Sequence, residues 1–82
     1  MVFLAISPGG LSEALRLAGS EGDAVWCGSD AISEEEFEAH EPGRLTRFSY
    51  PLLDAGSAAI ADALETIAEH HPAKRVWVEG RR

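Results

Sequence analysis

The segment Ser7-Pro8-Gly9-Gly10 separates an apolar run from a stretch with helical periodicity. A glycine turn that leads into a helix presents backbone N–H groups without partners in the helix, beside the partial positive charge of the helix N-terminus. A small anion or ligand can therefore bind there. The glycine spacing matches neither the Walker loop nor the dinucleotide-binding motif. We predict a ligand site formed by Ser7, Gly9, Gly10 and Leu11; the alternative is a tight turn that holds no ligand.

Cys27 is the only cysteine of the chain and lies in the stretch Trp26-Cys27-Gly28-Ser29. This stretch is similar to the first half of a thioredoxin active site, in which a helix N-terminus activates a thiolate. Asp30 stands where the second cysteine would be, and a carboxylate there raises the pKa of a thiol. We therefore predict a strand cysteine near the core and no catalytic residue. The alternative is a thiol-dependent redox or transfer enzyme that uses Cys27.

The stretch that follows is rich in side chains able to bind metal ions: Asp30, Glu34, Glu35, Glu36, Glu38, His40 and Glu41. It lacks the spacing of a calcium loop and the paired histidines of a zinc helix. The adjacent His70 and His71 lie about 100° apart on a helix, so they suit a helix end better than one shared ion. We predict no metal and no cofactor. The predicted interaction surface, which would dock a basic partner, consists of Asp30, Glu34, Glu35 and Glu38.

Composition narrows the classes of function. The 82 residues suffice for one domain, residues 1–82, and include 7 basic and 14 acidic side chains, for a net charge of −7. This charge repels a phosphate backbone, so nucleic acid is excluded as a partner. The apolar run at the N-terminus ends at Ile6, too early for a signal peptide or a membrane span. Together with the single cysteine, this predicts a cytoplasmic protein with no membrane partner.

The hydropathy pattern predicts alternating strands and helices. Continuous or alternating apolar residues predict strands at 2–6, 23–27, 45–52 and 75–78. Leu11, Ala14, Leu15 and Ala18 share one helix face, and residues 19–22 end that helix. Ser33 opens a capping box for a short acidic helix over about 34–40, which Pro42-Gly43 ends. A longer helix, capped by Asp54 or Ser57, carries the stripe Ile60, Leu64, Ile67 and His71 up to Pro72, and residues 80–82 form a tail.

The third strand decides between two architectures for this order of elements. Thr46, Phe48, Tyr50 and Leu52 alternate with Arg47 and Ser49, which predicts one face in contact with water. A parallel sheet with helices on both faces would instead be apolar throughout. We therefore predict an α+β fold, a two-layer ferredoxin-like β-α-β-β-α-β sandwich with the acidic helix inserted between strands two and three. The alternative is a small α/β, flavodoxin-like parallel sheet.

The motif Pro8-Gly9-x-Leu11, between a first strand and an amphipathic helix, resembles the opening of ACT domains, which are small regulatory modules. The resemblance implies a ferredoxin-like fold in which Gly9 approaches a small ligand, often an amino acid, where two copies meet, while Leu11 lies in the core. The chain departs from that family at Ile6, where an acidic or amide residue is common.

These patterns favour a non-catalytic regulatory or protein-interaction module over an enzyme. The half-covered sheet and short strands of the predicted fold offer edges for pairing, so we expect a protein partner or a homo-oligomer. A small-molecule ligand or anion at the Gly9-Gly10 turn is part of this prediction.

Overall fold

The computed structural model describes residues 1–19, 22–40 and 44–80. These residues form seven elements in the predicted order: β1 (Val2–Ala5), α1 (Pro8–Leu17), β2 (Ala24–Cys27), α2 (Glu34–Glu38), β3 (Leu45–Arg47), α3 (Gly56–His70) and β4 (Val76–Val78). The predicted helix stop at Pro42-Gly43, part of the stop at residues 19–22, and most of the predicted tail lie outside the described residues. Across the described part of the chain, no helix has the length and hydropathy needed to cross a bilayer.

The four strands form one parallel sheet in the order β3-β2-β1-β4. Phe3, in the middle of β1, lies between Val25 of β2 and Trp77 of β4. The chain moves outward from β1 to β2 and β3, and then crosses back to place β4 on the other side of β1. This is the connectivity of a doubly wound α/β fold.

Successive side chains of β1 enter two separate cores, because neighbouring residues of a strand point to opposite faces. Phe3 and Ala5 pack with Leu11 and Ala14 of α1, and Phe37 of α2 borders the same cluster. On the other face, the apolar cluster contains Val2, Leu4 and Ile6 of the first strand region together with Ala63 and Ile67 of α3. Helices therefore cover both faces, and β1 is buried along its whole length, as the continuous apolar run of the sequence predicts.

The predicted ferredoxin-like sandwich is wrong, because every strand pair is parallel; the flavodoxin-like alternative fits better. Arg47 is half-buried, and its guanidinium group donates hydrogen bonds to the backbone carbonyl oxygens of Ser29 and Ile32, both at 2.9 Å. Ser49 is exposed but lies beyond the end of β3. Neither residue therefore marks a water-facing side of a sheet. The short helix α2 supplies the crossover that a parallel connection needs.

The predicted helix caps are confirmed for α2 and wrong for α3. The hydroxyl of Ser33 accepts a hydrogen bond from the Glu36 amide at 3.1 Å, which confirms the predicted cap of α2. The predicted caps of α3 are wrong: Ala55 precedes the helix with no side-chain cap, and Gly56 begins it at φ +85°. Such a backbone angle is in the left-handed region that favours glycine. Three residues of the predicted stripe of α3 join the second core: Ile60, Leu64 and Ile67. The fourth, His71, lies at the C-cap of the helix.

Candidate functional site

The candidate site lies at the carboxyl ends of β1 and β4. The chain leaves β1 in one direction through α1, while β4 is added on the opposite side, so the strand order reverses between these two neighbours. In doubly wound folds, ligands bind in the crevice at such a reversal. Ser7 follows β1 and Glu79 follows β4, which brings residues 72 positions apart to the same edge of the sheet.

The side chain of Glu79 fills the turn that leads into α1. Its Oε1 atom accepts hydrogen bonds from the backbone amides of Ile6 at 2.6 Å and Ser7 at 2.8 Å. Its Oε2 atom accepts a hydrogen bond from the Ser7 hydroxyl at 2.5 Å. The Ser7 oxygen in turn accepts a hydrogen bond from the Gly10 amide at 3.1 Å and caps the helix. The acceptor at this turn is thus a carboxylate of the chain itself. Of the residues predicted to bind an anion, only Ser7 donates to this carboxylate directly, and the amide of Ile6 is a donor that was not predicted.

Gly10 leaves space for this carboxylate. A Cβ atom at Gly10 would lie 1.8 Å from Oε1 of Glu79, far inside van der Waals contact, whereas one at Gly9 would have nothing within 4 Å. Because the neighbour of Gly10 is the end of a flexible side chain, a methyl group there would displace the carboxylate rather than the backbone. The requirement for glycine is therefore steric at position 10.

The structure brings together only part of the predicted ligand site. Ser7 and Gly10 belong to the hydrogen-bonded network around Glu79, whereas Leu11 is buried in the first core. Glu79 was missed by sequence reasoning. Its position after the last strand becomes informative only once β4 is known to run parallel to β1, because parallel strands bring their carboxyl ends to one edge.

The carboxyl ends of β2 and β3 are joined by a second set of contacts. Both carboxylate oxygens of Asp30 accept backbone hydrogen bonds, from Leu52 and Leu53, each at 3.2 Å. The Ser29 amide donates to the Tyr50 carbonyl oxygen at 3.0 Å. A Cβ atom at Gly28 would lie 2.8 Å from the backbone nitrogen of Leu52, so glycine permits this close approach. The loops after β2 and β3 are therefore held against each other.

The predicted acidic surface divides into two parts. Glu34, Glu35 and Glu38 are exposed on α2. Asp30 is exposed as well, but its carboxylate accepts the loop hydrogen bonds just described. Phe37, on the opposite side of α2, packs against the first core. Within the described residues, no group of three or more potential ligands is placed to hold a metal ion.

Cys27 ends β2 and is fully buried, which agrees with the predicted strand cysteine. Burial raises the pKa of its thiol from an ordinary value of 9.0 to about 11, and this effect exceeds the opposing influence of the Arg47 cation. The thiol is therefore protonated near neutral pH, and the environment opposes nucleophilic chemistry.

The two adjacent histidines have structural contacts, as predicted. The indole N–H group of Trp26 donates a hydrogen bond to Nε2 of His71 at 3.3 Å. Nδ1 of His70 lies 3.0 Å from the carbonyl oxygen of Thr66, and its ring lies 5.4 Å from that of Trp26. Both histidines therefore close the last turn of α3 over the second core.

A cavity of about 280 Å³ opens at the other end of the sheet, where the strands begin. Its walls include Leu15, Val25 and Leu45 and the polar residues Asp23, His40 and Arg44. The Arg44 guanidinium group donates to the Ala18 carbonyl oxygen at 3.1 Å, and Asp23 accepts a hydrogen bond from the N-terminal ammonium group at 3.1 Å. No predicted site residue lines this cavity.

Comparisons with models of known protein families, with curated proteins and with solved structures found no match for this chain. The fold and site define a small doubly wound α/β protein in which a carboxylate of the chain itself binds the turn where the strand order reverses. Its function is inferred from these features.

Replacing Glu79 by Gln should lower the free energy of unfolding by about 1–3 kcal/mol, because hydrogen bonds to a charged acceptor are lost in a partly buried place. Glu69→Gln is the matched control, since Glu69 is exposed on α3, and it should change stability by less than about 0.5 kcal/mol. Urea-induced unfolding measures the free energy of unfolding of both variants. Equal stabilities of the two variants would contradict the assigned role of Glu79.

Alkylation of Cys27 by iodoacetamide should be slow at neutral pH in the folded protein and accelerate only as the pH approaches 11. The urea-unfolded chain is the control and should react as an ordinary thiol. Because the pKa is higher in the folded state, the stabilising contribution of the protonated thiol is complete below pH 9.0 and is lost as the pH rises to about 11. Rapid alkylation of the folded protein near pH 7 would contradict the burial and the raised pKa of the Cys27 thiol.

Proposed function

We propose that this protein is a non-catalytic interaction module whose anion-accepting turn, at Ser7 and Gly10, is held closed by Glu79. The observation that carries the proposal is the convergence of two backbone N–H groups and one hydroxyl on a single carboxylate. A carboxylate or phosphate group on a ligand or partner has the same acceptor chemistry. Such a group would bind this turn in place of Glu79, and its binding would release the segment after β4.

In this proposal a ligand must displace the carboxylate of Glu79 from the turn, and this competition makes binding selective. Glu79 is attached to β4 and is already positioned, so a free anion must overcome a high effective concentration of carboxylate. Weak, small anions are therefore excluded, and a ligand with additional contacts is favoured. This is the behaviour expected of a regulatory module.

The environments of the nucleophilic side chains favour binding over catalysis. The thiol of Cys27 is buried and has a raised pKa, which gives no support to the alternative of a thiol-dependent enzyme. The Ser7 hydroxyl donates a hydrogen bond to Glu79 and caps α1. The imidazole of His70 contacts the Thr66 carbonyl oxygen and that of His71 contacts the Trp26 indole, so both rings have structural contacts.

The proposed partner is a protein or a second copy of this chain. The exposed carboxylates of Glu34, Glu35 and Glu38 support docking of a basic surface, which added salt would weaken. The net charge of −7 argues against nucleic acid. The proposal includes a cytoplasmic location, which the single cysteine supports. The ACT resemblance stays limited to the Pro8-Gly9-x-Leu11 motif, because a parallel sheet lacks the antiparallel pairs of that family.

The proposal is tested by titrating inorganic phosphate and a panel of amino acids while following the backbone amide NMR signals of Ile6, Ser7 and Gly10. In Glu79→Ala these signals should move with millimolar phosphate, because their acceptor has been removed. In the wild-type protein and in the control Glu69→Ala they should move far less.

A folded Glu79→Ala variant whose turn signals respond to no anion would contradict anion binding at this turn. Dispersion of the remaining amide signals establishes whether the variant is folded. Glu79→Gln provides a second, less disruptive variant with the same expected direction of change.

A further inference from the structure

The strand β4 is the edge of the sheet on the side of the candidate site, and β1 is its neighbour there in the described part of the chain. The Arg75 carbonyl oxygen accepts a hydrogen bond from the Val2 amide at 2.9 Å, and the Glu79 amide donates to the Leu4 carbonyl oxygen at 3.0 Å. In a parallel ladder, alternate residues bond to a given neighbour. Residues 75, 77 and 79 therefore direct their backbone groups at β1, while those of Val76 and Val78 point outward.

The side chains along this edge are only partly covered. Val76, Trp77 and Val78 are each half-buried. Trp77 contacts Phe3, with ring centroids 5.7 Å apart, at the margin of the first core. Helix α1, which covers that face, packs mainly on β1 and β2. An indole ring thus remains partly open at the edge of the sheet.

We propose that a second copy of this chain pairs its β4 with this β4, antiparallel, across a two-fold axis at Trp77. In this register Val76 lies opposite the partner's Val78, and Val78 lies opposite the partner's Val76. All four residues have outward backbone groups, so the two pairs form four hydrogen bonds. A register shifted by one residue in one copy would place outward groups opposite inward ones.

Charge complementarity selects the centre at Trp77. Arg75 is exposed, and in this register it lies opposite the partner's Glu79, with the reciprocal pair across the axis. Side chains at 75, 77 and 79 share one face of the strand, the face that carries α1. Pairing centred on Val76 would instead place Arg75 opposite the partner's Trp77, and centring on Val78 would place Trp77 opposite the partner's Glu79. Only the central register pairs opposite charges.

The paired β4 strands leave room for both α1 helices and bring a cation of each copy to the candidate site of the other. The β1 strands of the two copies would be three strand spacings, about 14 Å, apart. A helix is about 10 Å in diameter, so the two α1 helices, which lie toward β2, do not collide. Trp77 and the partner's Trp77 then cover each other between these helices. The partner's Arg75 comes beside the Glu79 that occupies the Ser7 turn, so each copy contributes a cation to the other's site.

The first test removes an outward hydrogen bond without changing the inner ladder. Val76→Pro deletes an N–H group that points away from β1, a position at which an edge strand tolerates proline. Sedimentation velocity over a micromolar to millimolar range should show a wild-type dimer and a monomeric Val76→Pro. Val76→Ala, which loses side-chain packing but keeps the N–H group, is the matched control and should remain dimeric. Circular dichroism establishes that each variant is folded.

The second test reverses the charge at the interface. Arg75→Glu should weaken the dimer by about tenfold or more, because two attractive pairs become repulsive. Arg16→Glu makes the same change of net charge on the exposed surface of α1 and should leave the dimer constant nearly unchanged. A monomeric wild-type protein at millimolar concentration would overturn the proposal. A dimer indifferent to both Val76→Pro and Arg75→Glu would overturn it as well.

Discussion

The carboxylate of Glu79 joins the beginning and the end of the chain at one point. It accepts hydrogen bonds from the amides of Ile6 and Ser7 and from the Ser7 hydroxyl, across 72 or 73 positions of sequence. These contacts fix the start of α1 against the end of β4 and place a negative charge at a helix N-terminus. The same interaction links α1, whose Leu11 and Ala14 lie in the first core, to the residue that follows the last strand. Gly10 permits it, because any larger residue would compete for the same space.

The local elements could be predicted from the sequence because their signals are local. The apolar run of β1, the N-cap at Ser33 and the apolar residues of α3 depend on signals within a few residues, and these three features are found as predicted. Strand direction depends on distant contacts. Arg47 had the pattern of a water-facing residue, but its guanidinium group donates hydrogen bonds to two carbonyl oxygens of the loop between β2 and α2. The sequence alone does not distinguish an arginine that donates hydrogen bonds to a loop from one that faces solvent.

Only the part of the candidate site that has a local sequence pattern could be predicted. The turn at Ser7 and Gly10 was identified from its glycines and its place before a helix. Its occupant was not, since Glu79 has no local motif and reaches the turn only through parallel pairing of β4 with β1. Asp30 was likewise assigned to an acidic surface, although its two oxygens bind the amides of Leu52 and Leu53. In both cases a carboxylate completes the backbone hydrogen bonds of a distant loop.

Amide hydrogen exchange at Ile6 and Ser7 measures whether their N–H groups are bonded to the side chain of Glu79 in the folded protein. We expect exchange as slow as that of the buried β1 amides, and faster exchange at both positions once the carboxylate is removed. Exchange of both amides at the rate of an unstructured peptide in the wild-type protein would contradict it.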